Sequence, residues 1–166
     1  MKKLIVVAML ALAIPAAALA TDPNPGTPTQ NAAAQAACRT QRAAVGTVAF
    51  RTWYAGTVTT TNTNHANAFG KCISAAVKQD QANTAAANNT CKAAELANKT
   101  AFKAQYASLG KCVSTTAAAA TKAARAATLS AAKSCKAALV SAGTTAAFNT
   151  TYGSFGKCVS TKIHTP

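Results

Sequence analysis

Six cysteines and three G-K-C triplets are the residues best equipped for chemistry in this 166-residue chain. The triplets stand in "FGKCIS" (Phe69 to Ser74), "LGKCVS" (Leu109 to Ser114) and "FGKCVS" (Phe155 to Ser160). A lysine next to a cysteine, just after a glycine, admits three readings: a phosphate-binding loop, an activated thiolate or a structural staple. A phosphate loop needs G-x-x-x-x-G-K-[ST] after a strand. The positions five before the three glycines hold His65, Gln105 and Thr151, and the residue after each lysine is Cys. The phosphate loop is therefore excluded. A helix N-terminus and a neighbouring lysine both lower a thiol pKa, but nucleophilic catalysis also needs a base. The histidines are His65 and His164, and neither recurs with the motif. No C-x-x-C spacing exists to support a zinc ribbon, a dithiol redox site or c-type haem. The staple is the reading we adopt, with no catalytic residue, cofactor or metal expected.

Two further sites merit the same test. The insertion "TTTNTNHANAFG" (Thr59 to Gly70) gathers Asn62, Asn64, His65 and Asn67 but no carboxylate, which hard cations require. Asx turns and an N-cap for the following helix account for it. Asp80 falls on the apolar side of its helix, where an interface ion pair or hydrogen bond with Arg42 or Arg125 is expected; the rival reading is a catalytic acid.

The elements that position these residues follow from an internal repeat. "CKAAELANKTAFKAQYASLGKC" (Cys91 to Cys112) aligns with "CKAALVSAGTTAAFNTTYGSFGKC" (Cys135 to Cys158) after a two-residue gap. "CRTQRAAVGTVAFRTWY" (Cys38 to Tyr54) opens a third copy that closes at Cys72. Repetition at this period indicates stacked or bundled helices. The expected fold is all-α: a disulfide-stapled bundle of long Ala-rich helices linked by short helices that carry aromatics.

On a helix over 111–142, Val113, Ala117, Ala120, Ala124, Ala127, Ala131, Cys135, Ala138 and Ala142 make a three-four seam. Lys111, Lys122, Arg125, Lys133 and Lys136 lie opposite, within about a quarter turn. Gly143 should end this helix and Thr144 cap the next. A helix from Lys71 to about Ala97 repeats the plan. Ile73, Val77, Thr84, Ala87, Cys91 and Ala94 form its seam, and Lys71, Lys78 and Lys92 lie outside. Phe102, Tyr106 and Leu109 on one short helix, and Phe148, Tyr152 and Phe155 on another, supply the bulk that alanine seams lack. The G-K-C glycines are expected to end those short helices.

The repeat phase pairs Cys38 with Cys72, Cys91 with Cys112 and Cys135 with Cys158. Joining Cys72 to Cys91, or Cys112 to Cys135, would bridge about 28 and 34 Å along single helices, far beyond disulfide reach. Each repeat-phase bond should contribute about 3 kcal/mol.

Lys2 and Lys3, the apolar run Leu4 to Ile14 and "ALA" at 18–20 form the tripartite pattern of a signal peptide. The run is too short to span a bilayer. Cleavage after Ala20 leaves 166 − 20 = 146 residues, a Pro/Thr-rich leader over 21–30 and one helical domain over 31–166. Export to an oxidising compartment agrees with an even cysteine count used for disulfides. Fifteen Lys and Arg then face Asp22, Asp80 and Glu95, a net charge of +12. Such a chain attracts polyanions. "NTNHANAFGKC" (Asn62 to Cys72) and the other two FGKC-type segments resemble small exported actinobacterial proteins that repeat an N-x-N-x-x-N-A-F-G-K-C-V-S element. That resemblance implies export and repetition and carries no activity.

The leading expectation is a secreted or envelope protein, not an enzyme, whose basic helix faces bind an anionic polymer, either a cell-wall polymer or nucleic acid. A membrane-active cationic protein is the alternative, weakened because Ala faces give little apolar moment. Ice binding is more remote, since Thr116, Thr121 and Thr128 do not share a face.

Overall fold

The computed structural model describes residues 27–56 and 67–164, and the expected signal peptide, most of the leader and the Asn62–His65 stretch lie outside them. Seven helices follow one another with no strand among the described residues: α1 (Pro28–Val45), α2 (Thr47–Ala55), α3 (Ala68–Ala97), α4 (Lys99–Tyr106), α5 (Leu109–Ser141), α6 (Thr145–Tyr152) and α7 (Phe155–His164). The fold is the all-α, disulfide-stapled bundle expected from the repeat. Long helices α3 and α5 pack against each other, with α1 laid on both and α7 returning along α5.

Local chemistry sets the helix ends. Thr27 and Gln30 form a reciprocal capping box in which Thr27 Oγ1 accepts from the Gln30 amide and Gln30 Oε1 accepts from the Thr27 amide, with Pro28 in the first turn. Helix α1 therefore starts inside the stretch expected to be leader, because Pro in a first turn favours a helix instead of breaking it. Asn98, Ser108 and Thr144 cap α4, α5 and α6 through their side chains, accepting from Ala101, Lys111 and Ala147. Gly143 adopts a left-handed φ of 70° just past α5, as the C′ rule requires.

Two apolar clusters form. The larger joins Phe50, Phe148, Phe155, Val45, Ala132 and Val159 with the Cys38–Cys72 and Cys135–Cys158 bonds, and half-buried Trp53, Tyr54 and Tyr152 pack on it. The smaller consists of Phe102 on the Cys91–Cys112 bond, edged by Tyr106, Leu109 and Val113. Between them lies a polar layer. Asp80 and Asn83 are buried on α3. Arg125 donates to Asp80 at 2.6 Å, Asn83 donates to Thr121 Oγ1 at 3.1 Å, and Gln79 donates to Asn83 Oδ1 at 3.0 Å.

This layer corrects the expected seams. Ala120 and Ala127 are exposed, while Thr121, Arg125 and Thr128 are half-buried and Ala132 is buried. On α3, the expected seam positions Thr84 and Ala94 are exposed, whereas Asp80, expected on the apolar side, and Asn83 are buried. Helix α5 contacts α3, α1 and α7, so its covered arc is wider than a single seam, and polar partners across the α3–α5 crossing rotate it. The G-K-C glycines are also misplaced by the sequence reading. Gly70, Gly110 and Gly156 sit in the first turns of α3, α5 and α7. The short helices end instead at Ala107, with φ 62°, and at Gly153, with φ 75°. Leu109 and Phe155 thus begin α5 and α7 and reach their aromatic partners across a turn.

Candidate polyanion-binding surface

The cysteines are fully accounted for as structure. Cys38–Cys72, Cys91–Cys112 and Cys135–Cys158 are bonded with Cα–Cα distances of 6.0, 5.9 and 6.0 Å, and no free cysteine remains. All six sulfurs are buried within the two clusters. A bonded, buried sulfur offers no thiolate, so the lysines beside the cysteines are free to serve a different purpose.

Of the basic residues among the described residues, every one is exposed except Arg125 and Lys136, which are half-buried. Lys71, Lys78 and Lys92 project from α3, and Lys111, Lys122 and Lys133 from α5, as the helical spacing predicts. Arg125 leaves this set. Its guanidinium is turned to Asp80, with 30% of its side chain exposed against 11% for Asp80. The interface ion pair expected for Asp80 is therefore made with Arg125, while Arg42 lies over the Phe69 ring at 5.5 Å. Asp80 is thus paired with a cation and 8% exposed.

Acid is scarce on this surface. Among the described residues the carboxylate side chains are Asp80, which is paired, and Glu95, which is half-buried. The resulting field is positive over most of the molecule. The sequence reading passed over Lys99 and Lys103 because they lie on a short linking helix, not on a long stripe. Both are exposed on α4, inside the loop closed by Cys91–Cys112. With Lys92 and Lys111 they place four cations in one joint, and their spacing in "KTAFKAQYASLGK" was the available signal.

Other chemistry is thinly represented. His164 is exposed at the end of α7, and no group of three His, Cys, Asp or Glu among the described residues is arranged to hold a metal ion. Burial pushes the Tyr54 phenol well above its ordinary range, and its hydroxyl donates to buried Gln41 Oε1 at 2.7 Å. This is a satisfied core contact of the large cluster. A groove of about 460 Å3 between α1 and α5 is lined by Ala33, Ala36, Ala37 and Leu129, and the buried Nε of Arg125 at its wall has no hydrogen-bond partner. No family model matches the chain, and neither the curated proteins nor the solved structures contain a match to it.

Proposed function

We propose that this is an exported, non-enzymatic helical protein that binds anionic polymers of the cell envelope through its lysine faces. The observation that carries the reading is the charge geometry. Thirteen of the fifteen described Lys and Arg are exposed, and the carboxylate on Asp80 is committed to Arg125. The bonded state of all six cysteines supports an oxidising compartment. No described helix is long and apolar enough to cross a membrane.

The same surface disfavours bilayer insertion as the mode of action. The exposed large apolar residues Val48, Leu96, Val140 and Ile163 are scattered over four helices instead of lining one face. Ice binding loses its candidates, since Thr116, Thr121 and Thr128 are half-buried and Thr121 is bonded to Asn83. Non-enzymatic action is supported by the shortage of acid–base groups: the histidine within the described residues is at a helix end, and Asp80 is paired.

Contacts to phosphates alone make affinity fall linearly with salt on a log–log scale. Pull-down on immobilised envelope extract across a salt gradient should therefore retain the protein at low salt and release it steeply as salt rises. Failure to bind at low salt contradicts the reading.

A further inference from the structure

We infer that the partner is a single extended, base-free polyphosphate-type chain that lies along α5 over the file Lys111, Lys122 and Lys133. This deepens the polymer-binding reading and rests on it. Helix α5 is unbroken from Leu109 to Ser141. The three lysines are each separated by eleven residues. Eleven residues are close to three helical turns, so successive lysines drift by only about 20° around the axis. They form a nearly straight row of exposed cations about 16 Å apart and about 33 Å from end to end.

Between Lys111 and Lys122 the ground is small and exposed, with Thr115, Ala118 and Ala119, so a thin chain can approach the helix closely. Between Lys122 and Lys133 it carries exposed Ala126 and half-buried Leu129, which border the groove against α1. None of the three lysines forms an ion pair among the described residues, where the bridge present is Asp80–Arg125. The Lys111 end of the row abuts the α4 joint with Lys92, Lys99 and Lys103. These extend the positive field beyond the helix end.

The chemistry of the partner follows from what this surface lacks. Every Phe, Tyr and Trp among the described residues is buried or half-buried. Single-stranded nucleic acid is normally held by bases stacked on exposed aromatics, at about 1–3 kcal/mol per base. No such platform borders the row. A polymer that offers regularly spaced phosphates and nothing to stack, such as a polyol-phosphate, meets every demand this surface makes.

The test uses the intact disulfide-bonded protein and long-chain inorganic polyphosphate as probe. Binding is measured by titration at several salt concentrations. K111Q/K122Q/K133Q is compared with K71Q/K157Q/K162Q, which removes the same charge from α3 and α7, away from the row and the α4 joint. All six positions are exposed, and unchanged circular dichroism confirms folding. The α5 triple should lower the log–log salt slope by about 2, from three contacts at about 0.7 each, and weaken binding more than tenfold at low salt. The K71Q/K157Q/K162Q triple should stay within a few-fold of wild type. Polyphosphate too short to span the row should lose less affinity in the α5 triple than the long chain does. Equal losses in the two triples would overturn the α5 row while leaving polymer binding intact. Tighter binding of a single-stranded oligonucleotide of equal phosphate count would overturn the base-free partner. Absence of any polyphosphate binding by wild type at low salt would overturn both this inference and the reading beneath it.

Discussion

The second and third repeats share one formula, A-F-x-x-x-Y followed by a large residue, Gly, Lys and Cys, yet they occupy different surroundings. In the third, Phe155 stacks near Phe148 at 6.1 Å and reaches across to Trp53 of the first repeat at 5.8 Å. A methyl group added at Gly156 would meet the Trp53 ring and carbonyl at 3.5 Å. In the second, the one ring that Phe102 meets among the described residues is its own Tyr106 at 5.3 Å, Leu109 stands where Phe155 does, and Gly110 faces open space. Charge follows packing. Lys99 and Lys103 of the second repeat correspond to Thr145 and Asn149 of the third. Asn149 is half-buried with its Oδ1 enclosed, whereas Lys103 is exposed. One joint serves as core and the other as a cationic surface. The same staple makes either possible, because a disulfide holds the turn whether or not neighbours cover it.

This contrast is broken most severely at the aromatic. Phe155→Ala should cost about 3–5 kcal/mol in urea unfolding, as expected for a fully enclosed ring. Leu109→Ala, at a half-buried position, should cost about 1–2 kcal/mol. Equal costs would show that the two joints are packed alike. Removing the staples sharpens the comparison further. The bonds close sequence separations of 21 and 23 residues, so chain entropy predicts nearly the same loss, about 3 kcal/mol, for Cys91→Ser/Cys112→Ser and Cys135→Ser/Cys158→Ser. The response should nevertheless differ. Loss of the third bond should lower protection from hydrogen exchange throughout the large cluster, and loss of the second should expose α4 alone. Uniform loss in both variants would contradict the separation into two clusters.

The polar layer between the clusters should respond next. Asp80→Ala strands Arg125 and should cost about 1–2 kcal/mol, below a fully buried pair because Arg125 keeps partial access to water. Replacing both partners, as in D80L/R125M, should recover much of that loss. The smallest effect concerns Tyr54, which belongs to the large cluster through its stack on Trp53 at 4.7 Å. Its folded pKa lies above the ordinary value near 10. Below pH 10 both states hold the proton and the phenol adds no pH dependence. Above it the unfolded chain ionises first, so stability falls as pH rises. Melting temperatures recorded from pH 9 upward should show a steeper alkaline decline in wild type than in Tyr54→Phe.

The residues that made this architecture legible were those whose spacing has a single physical outcome. Two cysteines on one continuous helix cannot bond, so the pairing followed from repeat phase alone. Lys111, Lys122 and Lys133 fall outward on any helix that buries Cys135. The helical ends were less readable. Pro28 marked a first turn, and Ala107 adopts the left-handed conformation usually left to glycine. Arg125 carried two expectations at once, an outward cation in the arc of the α5 lysines and a partner for Asp80, and the structure takes the second. Seam positions Ala120 and Ala127 failed because crossing partners set the rotation of a helix and no alanine can report it. The cations of α4 were visible as residues, but their weight appeared only once the small cluster left that joint uncovered.

The central claim is that polymer binding belongs to the second joint and the α5 row, not to the positive charge of the whole molecule. NMR of the lysine side chains during titration with long-chain polyphosphate at low salt tests it most directly. The account predicts the largest perturbations at Lys99, Lys103, Lys111, Lys122 and Lys133, with Lys157 and Lys162 little changed. Perturbations spread evenly over all exposed lysines, or centred on the third joint, would contradict it.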